Sequence, residues 1–585
     1  MSGSRFPKAS IIVATSLFLA ACGGGGGGSS VPPGTPGSGG GSGGGGTPPA
    51  EPASKIDSET EASRFLARAT FGGTKSEIAA LNGDDAADWL ATQFSRSTSL
   101  TLPDLLAQPR DAEGRLSSQR VNELYWDHIV GANDQVRQRM AFALSQILVY
   151  SDAADSDQPM RAFYQDILIR NAFGNYRDLL EEVTFSPAMG EWLTYRGNRK
   201  GDASKGRMPD ENYAREVLQL FSIGLIELNM DGSPKLDAQG QQIETYTNED
   251  IEGLARVFTG LSWSGGDFWK EPQDGNINPM EMYPEQHSEL EKVFLGTTIP
   301  EGTPGLETID RALDTIFEHP NVAPFLSRQL IQRFTQSDPS PQYIERVATA
   351  FETGRFTADG GRQFGSGARG DLQATLAAVL LEDSTFTEPG NTATVTSGKV
   401  REPILRFTHW ARAFEVDNID AGNERRLRDT RSSESALGQQ AFRSPSVFNF
   451  YRPGYVAPGT NAGGQNITVP EFQIVNESSS VGYLNFMTDF AFNRSSQRDN
   501  DNDTYTPDYS DELALLDNPT ALVDHLDDLL TGGRMTDAEK ADIADIVGTV
   551  EIRTNNAENT AADQEDAVQT AVALILNSPS FAVTW

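Results

Sequence analysis

The segment from Pro209 to Gly224 constrains the fold more than any other part of the sequence, because it carries both end signals and the core face of one helix. Asp210 can cap the first free amides, Glu211 adds negative charge to the first turn, and Gly224 can end the helix in a left-handed conformation. The apolar residues between these ends recur at helical spacing: Tyr213, Val217, Leu218, Leu220 and Phe221. The sequence therefore predicts a helix from Asp210 to Gly224 with one buried face.

The polar residues of this segment are the first candidates for a functional site. Glu211 can pair with Arg215 four residues later, and Asn212 stands four residues before Glu216. In one interpretation these four residues form a charged face that meets solvent, as charged faces of core helices usually do. In the other they line a cleft and take part in proton transfer or ligand binding. The sequence leaves both interpretations open.

Helical periodicity continues along most of the chain from Ser58 onward. Ser58 and Glu61 have the spacing of a capping box. The amphipathic runs Ser118–Val130 and Val136–Tyr150 predict an antiparallel helix pair, whereas the turn at 229–232 and the segment up to Ile243 predict a short hairpin. We therefore predict an all-α fold: a large multi-helix globular body with few strands and long irregular loops.

The N-terminus has the features of a secretory signal peptide. Arg5 and Lys8 precede an apolar run from Ile11 to Ala21, which is too short to span a bilayer comfortably and ends in small residues. The sequence Leu19-Ala20-Ala21-Cys22 resembles a bacterial lipobox, in which Cys22 would carry the lipid. The alternative is an ordinary signal peptide with an incidental cysteine, but Cys22 is the only cysteine of the chain.

The residues after Cys22 indicate how the body would be held at the membrane. Gly23, where an aspartate would favour the inner membrane, suggests an outer-membrane lipoprotein that faces the periplasm or the cell surface. Glycine, serine, proline and threonine make up nearly all of Gly23–Ser54, a composition that predicts a disordered, flexible tether. The predicted domains are a signal peptide over 1–21, the tether over 22–57 and the helical domain over 58–585, with a soft division near 354–370.

Composition excludes several classes of function. The chain of 585 residues has 47 basic and 82 acidic residues and a net charge of −35, which repels nucleic acid, so no nucleic-acid partner is expected. One cysteine rules out a disulfide framework or a cysteine-ligated zinc site within one chain. Five histidines make a histidine-rich metal site improbable. We predict no metal site and no cofactor.

Met208–Gly224 resembles the signature of a large bacterial family, the Domain of Unknown Function 1800 family. The resemblance extends from about Ser58 to the C-terminus through further phrases: Phe65–Gly72, Pro187–Leu193, Tyr246–Trp263, Ala441–Tyr455 and Ser578–Phe581. The family has no established activity, so the resemblance implies membership without a reaction. Its members tend to be encoded beside a second uncharacterised family that looks like sulfatases and phosphatases, which implies a protein partner of that type.

Two phrases depart from the family pattern. Phe142–Gln146 occupies the position where many relatives have a histidine-rich phrase, which argues against a histidine-based metal centre. The phrase from His287 to Gly296 is similar to a family phrase that runs His-Asp, Lys and Leu-Gly, but Ser288 replaces the aspartate. His287 and Lys292 are retained. Because His287 ends a long polar loop rather than lying in an apolar stripe, it is the histidine with the best claim to a functional role.

The phrase Ala441–Tyr455 combines aromatic residues, Arg443, Asn449 and Arg452 in a segment whose prolines and glycine preclude a long helix. One interpretation is a binding wall in which Arg443 and Arg452 contact a carboxylate or sulfate. The other is a buried linker whose aromatic rings fill gaps between helices.

Two functional hypotheses follow. The first is a lipid-anchored extracytoplasmic protein of the cell envelope that acts by binding or assembly, with a sulfatase- or phosphatase-like partner. The second is a hydrolase-like enzyme that uses Glu211, Glu216 and His287, with Arg215 or Lys292 steadying an anion. The enzyme hypothesis requires the helix from Asp210 and the loop bearing His287 to meet in one pocket, with side chains within about 8 Å.

Overall fold

The computed structural model describes residues 54–584 except 111, 113, 115, 118, 154–156, 272–274, 383–385, 387–397, 419–426, 428 and 495–504. The predicted signal peptide, Cys22 and nearly all of the predicted tether lie outside the described residues. The chain divides after Ala50, and Glu51–Trp585 is one compact unit.

Helices hold 50% of the described residues and strands 7%, which confirms the predicted all-α fold. In the first half of the described chain the α-helices are α1 (Glu59–Ala69), α2 (Lys75–Leu81), α3 (Ala86–Phe94), α4 (Thr101–Leu106), α5 (Arg120–Gly131), α6 (Gln135–Ser145), α7 (Gln158–Arg170), α8 (Tyr176–Thr184), α9 (Pro187–Trp192), α10 (Asn212–Gln219) and α11 (Asn248–Val257). The predicted pair α5 and α6 is present, and the two helices contact each other across a short turn.

The second half continues the helical series. Its α-helices are α12 (Gly305–Glu318), α13 (Val322–Phe334), α14 (Pro341–Thr353), α15 (Leu372–Leu380), α16 (Pro403–Ala413), α17 (Asn461–Gly464), α18 (Glu477–Ala491), α19 (Ser510–Ala514), α20 (Pro519–Leu526), α21 (Asp537–Gly548), α22 (Ala557–Leu576) and α23 (Pro579–Ala582). One π-helical turn covers Asp527–Thr531, and short 3-10 turns cover Ala203–Lys205, Gly275–Ile277, Pro284–Gln286 and Pro470–Gln473.

The strands of the described residues are short and pair antiparallel. The pairs are β1 (Leu261–Ser262) with β2 (Glu281–Met282), β3 (Lys292–Phe294) with β4 (Thr297–Ile299), β5 (Phe356–Thr357) with β6 (Gln363–Phe364), β7 (Lys399–Val400) with β10 (Val583–Thr584), and β8 (Asp417–Asn418) with β9 (Tyr505–Thr506). The predicted hairpin before Ile243 is present as isolated bridges, Ile226 with Glu244, Leu228 with Pro234, and Leu236 with Gln242.

Side-chain caps explain where many of these helices begin. At α11 the Thr247 amide donates to the Asp250 carboxylate at 2.7 Å, and the Asp250 amide donates back to the Thr247 hydroxyl at 3.4 Å. At α1 only half of the predicted box forms. The Ser58 hydroxyl accepts from the Glu61 amide at 3.1 Å, but the Glu61 carboxylate accepts from Asp57, one residue too early, at 2.7 Å.

One continuous hydrophobic core runs from Ile56 to Phe581 and includes residues from most of the helices. Residues near both ends of the described chain therefore pack into the same core. Within the described residues, none of the helices is both long enough and apolar enough to cross a bilayer.

Gly253 of α11 lies against the backbone of β3. A Cβ atom at this position would overlap the Val293 carbonyl oxygen. Because the obstacle is backbone rather than a flexible side chain, α11 must move away from β3 to admit a methyl group. We expect Gly253→Ala to lower the free energy of unfolding by about 2 kcal/mol, measured by urea denaturation.

Gly548 provides the matched control, because a Cβ atom there meets no other atom within 4 Å. Gly548→Ala should leave the free energy of unfolding unchanged or raise it slightly. Equal effects of the two substitutions would contradict the close packing of α11 on β3.

Candidate functional site

The helix predicted from the signature segment is present but shorter than expected. The Asp210 carboxylate accepts a hydrogen bond from the Asn212 amide at 2.9 Å, and Gly224 has a φ of 70° with its amide donating to the Leu218 carbonyl at 3.0 Å. The prediction is therefore confirmed only in part, because the N-cap of α10 is Glu211, which makes no side-chain cap hydrogen bond, and the C-cap is Leu220 rather than Gly224. The backbone amides just before Gly224, and that of Gly224 itself, donate to carbonyls five or six residues back instead of four. The regular α-helix α10 therefore ends at Gln219.

The first turn of α10 lies at the surface. Glu211 and Arg215 form an ion pair at 3.4 Å, and their side chains are 43% and 42% exposed. The Asn212 side-chain amide donates to the Thr194 hydroxyl at 2.8 Å. An exposed pair of this kind adds little stability, and these contacts match the interpretation of a solvent-facing helix surface.

Glu216 differs from its neighbours on α10. Its side chain is half-buried, and one carboxylate oxygen, Oε2, is buried without a hydrogen-bond partner. Burial raises the pKa of the Glu216 carboxyl, and the positive charge of Arg215 partly offsets this. Of the four predicted residues on this helix, Glu216 is the one with an unsatisfied acceptor.

His287 and Lys292 lie together beside Thr259, and both are buried. The His287 Nδ1–H donates to the Thr259 carbonyl at 2.8 Å, the Thr259 hydroxyl accepts from the Ser288 amide, and the Lys292 ammonium donates to the Ser288 carbonyl at 2.6 Å. Burial lowers the pKa of the His287 imidazole and of the Lys292 ammonium. The imidazole Nε2 is buried without a partner.

The candidate residues thus form two groups. One group contains Glu211, Arg215 and Glu216 on α10, and the other contains His287 and Lys292 beside Thr259. Within the described part of the chain, no hydrogen bond or ion pair joins the two groups. The convergence that the enzyme hypothesis requires stays a prediction.

The lowered pKa of His287 predicts a pH dependence of stability. Because the folded protein holds this imidazole neutral, its contribution is present above the unfolded pKa of 6.5 and is lost as pH falls below that value. We expect the free energy of unfolding of the wild type to fall relative to His287→Gln between pH 7.5 and about 5. Urea denaturation across this range measures the difference, and a difference that stays constant with pH would contradict the neutral, buried imidazole.

A cleft of about 360 Å³ opens beside the C-terminal end of α10. Its walls come from the chain after α6, the end of α10 with the residues up to Leu228, helix α13, and residues 447–454. The apolar lining residues are Ile147, Val149, Leu220, Leu225, Ile226, Leu228, Phe325, Val447 and Phe448. The two strongest phrases of the sequence, Met208–Gly224 and Ala441–Tyr455, therefore meet in one cleft.

The charged residues that line this cleft are all arginines. Its polar lining consists of Arg328, Arg333, Arg452, Gln146, Gln219, Gln329 and Tyr451. None of the described lining residues is an aspartate or glutamate, although acidic residues outnumber basic ones by 82 to 47 in the chain. The cleft is thus a positively charged, largely apolar site in an acidic protein.

Arg333 is the deepest of the three arginines, and only 2% of its surface is exposed. Its two terminal nitrogens donate to the carbonyls of Gln329 at 3.0 Å and Gln146 at 2.9 Å. Its Nε–H is buried without a partner. Arg333 thus makes no hydrogen bond to a carboxylate of the described residues; burial lowers its pKa, and Tyr451, Glu402 and Glu471 partly offset this.

The other two arginines lie nearer the mouth. Arg452 is exposed, and its guanidinium lies 4.8 Å from the centre of the Phe448 ring. Burial lowers the pKa of Arg328, and the negative charge of Asp338 partly offsets this. Arg443, which the sequence groups with Arg452, instead pairs with Asp152 at 3.3 Å and does not line the cleft.

A buried carboxylate lies beneath the cleft, next to the lining residues Gln146 and Tyr451, which together with Arg333 form the floor of the cleft. Glu402 is 0% exposed, and its Oε2 accepts hydrogen bonds from the Gln146 side chain at 2.6 Å, from the Tyr451 hydroxyl at 3.3 Å and from the Gln439 side chain. These bonds fix Gln146 and Tyr451, which line the cleft. Burial raises the pKa of Tyr451 well above its usual value, and Glu402 raises it further, so the phenol stays neutral.

A second buried cation, Arg139, lies behind Arg333. One of its terminal nitrogens donates to the Arg333 carbonyl, and its guanidinium packs 4.5 Å from the centre of the Phe334 ring. Its other nitrogens are buried without partners. Burial lowers its pKa to about 10, against the opposing effect of Glu402, so Arg139 remains charged at neutral pH. The buried carboxylate of Glu402 acts on both buried guanidinium groups, and that of Glu471 acts on Arg333 as well.

The backbone around the cleft adopts left-handed conformations at three positions. Phe442 and Asn449, with φ values of 57° and 60°, bracket the segment that carries Val447 and Phe448. A Cβ atom on Gly224 would lie 2.8 Å from the Phe325 ring, which lines the cleft. Such conformations cost about 1–3 kcal/mol at non-glycine residues and cluster at binding sites.

Sequence reasoning identified Arg452 but missed Arg328, Arg333 and Glu402. A signal was present in α13, where Arg328, Gln329, Gln332 and Arg333 recur at helical spacing. A polar stripe of this kind is usually taken as a solvent-facing surface. Nothing local marks Glu402, which precedes a proline at the start of α16 and looks like an ordinary helix-start residue.

No cluster of three or more histidine, cysteine, aspartate or glutamate side chains within the described residues is placed to hold a metal ion.

A family model described as a protein of unknown function, DUF1800, matches residues 64–583. No curated protein and no solved structure matches the chain.

Proposed function

The chain belongs to the DUF1800 family of proteins of unknown function, and from this premise we propose that it is a lipid-anchored extracytoplasmic binding component of the cell envelope. Its binding site is the arginine-lined cleft, and its ligand is a small anion with an apolar part. One observation carries this proposal: Arg328, Arg333 and Arg452 line an apolar cleft that has no acidic lining residue among those described.

The chemistry of the lining favours binding over catalysis. A guanidinium group presents donors that match carboxylate, sulfate and phosphate oxygens, and the surrounding side chains bury the apolar part of a ligand. A volume of about 360 Å³ lies at the small end of the range of roughly 300–1,000 Å³ for ligand pockets. This size fits a small molecule rather than a polymer.

The proposed location is supported by the order of features at the N-terminus. Arg5 and Lys8, the apolar run to Ala21 and the single Cys22 stand in the order of a lipoprotein signal, and a glycine-rich segment follows. Acyl chains on Cys22 would hold the body beside a membrane without a spanning helix. A sulfatase- or phosphatase-like protein partner belongs to the same proposal, because esters of sulfate and phosphate are anions of the kind that arginines bind.

Metabolic labelling with palmitate in the native host tests the location. We expect label to enter the protein, to be absent from Cys22→Ser, and to fractionate with the outer membrane. A native protein that begins at Met1 and retains a free thiol at Cys22 would overturn the proposed anchor.

Calorimetric titration of the full chain with four probes that each carry an eight-carbon chain tests the ligand class. We expect octanoate and octyl sulfate to bind, and octanol and octyltrimethylammonium to bind at least tenfold more weakly, because the cleft is cationic. Arg328→Met should weaken octanoate binding, whereas Arg96→Met, at an exposed arginine outside the cleft, should not. Equal binding of the anionic and cationic probes would contradict the proposal.

A further inference from the structure

The charges beneath the cleft and its apolar wall restrict the class of ligand further. We infer that the cleft binds a singly charged amphiphile of the fatty-acid type, whose one carboxylate lies at Arg333 and whose apolar chain runs outward along the cleft. This inference rests on the proposed anion-binding function and adds the number of charges and the nature of the apolar part.

The number of charges follows from the buried groups at the floor. Arg139 and Arg333 are 0% and 2% exposed; the buried carboxylate of Glu402 acts on both, and that of Glu471 acts on Arg333 as well. The neighbouring buried pair, Lys399 and Glu471, is neutral as a unit because the two side chains contact each other directly. The floor therefore lacks one negative charge, and a ligand with a single charge supplies it.

A second negative charge on the ligand would find no second buried cation that lacks a carboxylate partner among the described residues of the cleft. Asp338 already acts on Arg328, and Arg452 is exposed to water, where its attraction for an anion is screened. A carboxylate at the far end of a ligand would instead lie against the apolar wall. Such a group loses hydration without gaining a buried partner.

The apolar chain follows from the residues between floor and mouth. Ile226 and Phe325 line the wall, and Leu225 and Phe448 line the cleft while remaining 52% and 38% exposed. Large apolar side chains exposed together at the mouth of a cleft usually mark a binding surface. A chain that starts at Arg333 covers these residues on its way out, which removes apolar surface of both partners from water.

Titration of the full chain with butanoate, hexanoate, octanoate and octanedioate tests the inference. We expect affinity to rise about fourfold for each added methylene, and octanedioate to bind at least tenfold more weakly than octanoate. Leu225→Ser, at a side chain that is 52% exposed, should reduce the gain in affinity from hexanoate to octanoate.

The outcomes separate this inference from the proposed function. Binding that depends on Arg328 but not on chain length, or octanedioate binding as tightly as octanoate, would overturn the inference and leave an anion site in place. Failure of the whole acid series and of octyl sulfate to bind would overturn both.

Discussion

Lys399→Met is expected to lower the free energy of unfolding by about 3–5 kcal/mol, one of the two largest effects in this protein. Lys399 and Glu471 contact each other with side chains that are 1% and 0% exposed. The Lys399 ammonium also donates to the Gln332 carbonyl at 2.8 Å, and Glu471 accepts from the Ser337 hydroxyl at 3.0 Å. Removal of the ammonium leaves a buried carboxylate without its cation, and the cost is mainly that of the unpaired charge.

Urea denaturation of three variants tests this account. The double variant Lys399→Met with Glu471→Leu should recover most of the lost stability, because no charge then remains buried at the pair. Arg170→Met, which breaks an ion pair with side chains 40% and 42% exposed, should cost less than about 1 kcal/mol. A Lys399→Met protein as stable as the wild type would contradict the buried pair.

Arg333→Met is expected to weaken octanoate binding about 100-fold, the larger of the expected effects on binding. A charge-assisted interaction of an anion with a desolvated guanidinium contributes about 2–3 kcal/mol, and methionine preserves much of the volume but none of the donors. Arg333→Lys should bind octanoate with intermediate affinity, since it keeps the charge and loses the planar fork.

Stability and binding must be measured on the same Arg333 variants. Removal of a buried charge that lacks a carboxylate contact should not destabilise the fold severely, so circular dichroism and urea denaturation should show a folded Arg333→Met protein. A folded variant that binds octanoate as well as the wild type would show that the anion does not contact Arg333. Arg96→Met is the matched control for the loss of one positive charge.

The helical architecture could be predicted because its signals are local. Thr247 caps α11 as its spacing with Asp250 indicates, and Gly224 takes the left-handed conformation that its position after the apolar stripe requires. Local signals also have limits at helix ends. The helix predicted from Asp210 to Gly224 ends at Gln219, because later amides donate to carbonyls five or six residues back, and residue spacing does not predict these wider turns.

The cleft could not be predicted, because its floor is built from residues distant in the sequence. Gln146, Arg333 and Glu402 come from three separate elements, and their meeting depends on helix packing that no local pattern encodes. The same limit applies to His287. A long polar loop predicted a functional role for it, but the folded chain places its imidazole against the Thr259 carbonyl, and its role in catalysis stays a prediction.

The most direct test of the cleft as a binding site is the position of a heavy atom on a bound ligand. A crystal of the protein soaked with 8-bromooctanoate should give an anomalous bromine peak near the mouth of the cleft, close to Leu225 and Phe448, with the carboxylate at Arg333. A fully occupied bromine peak elsewhere on the molecule, with an empty cleft, would contradict the account.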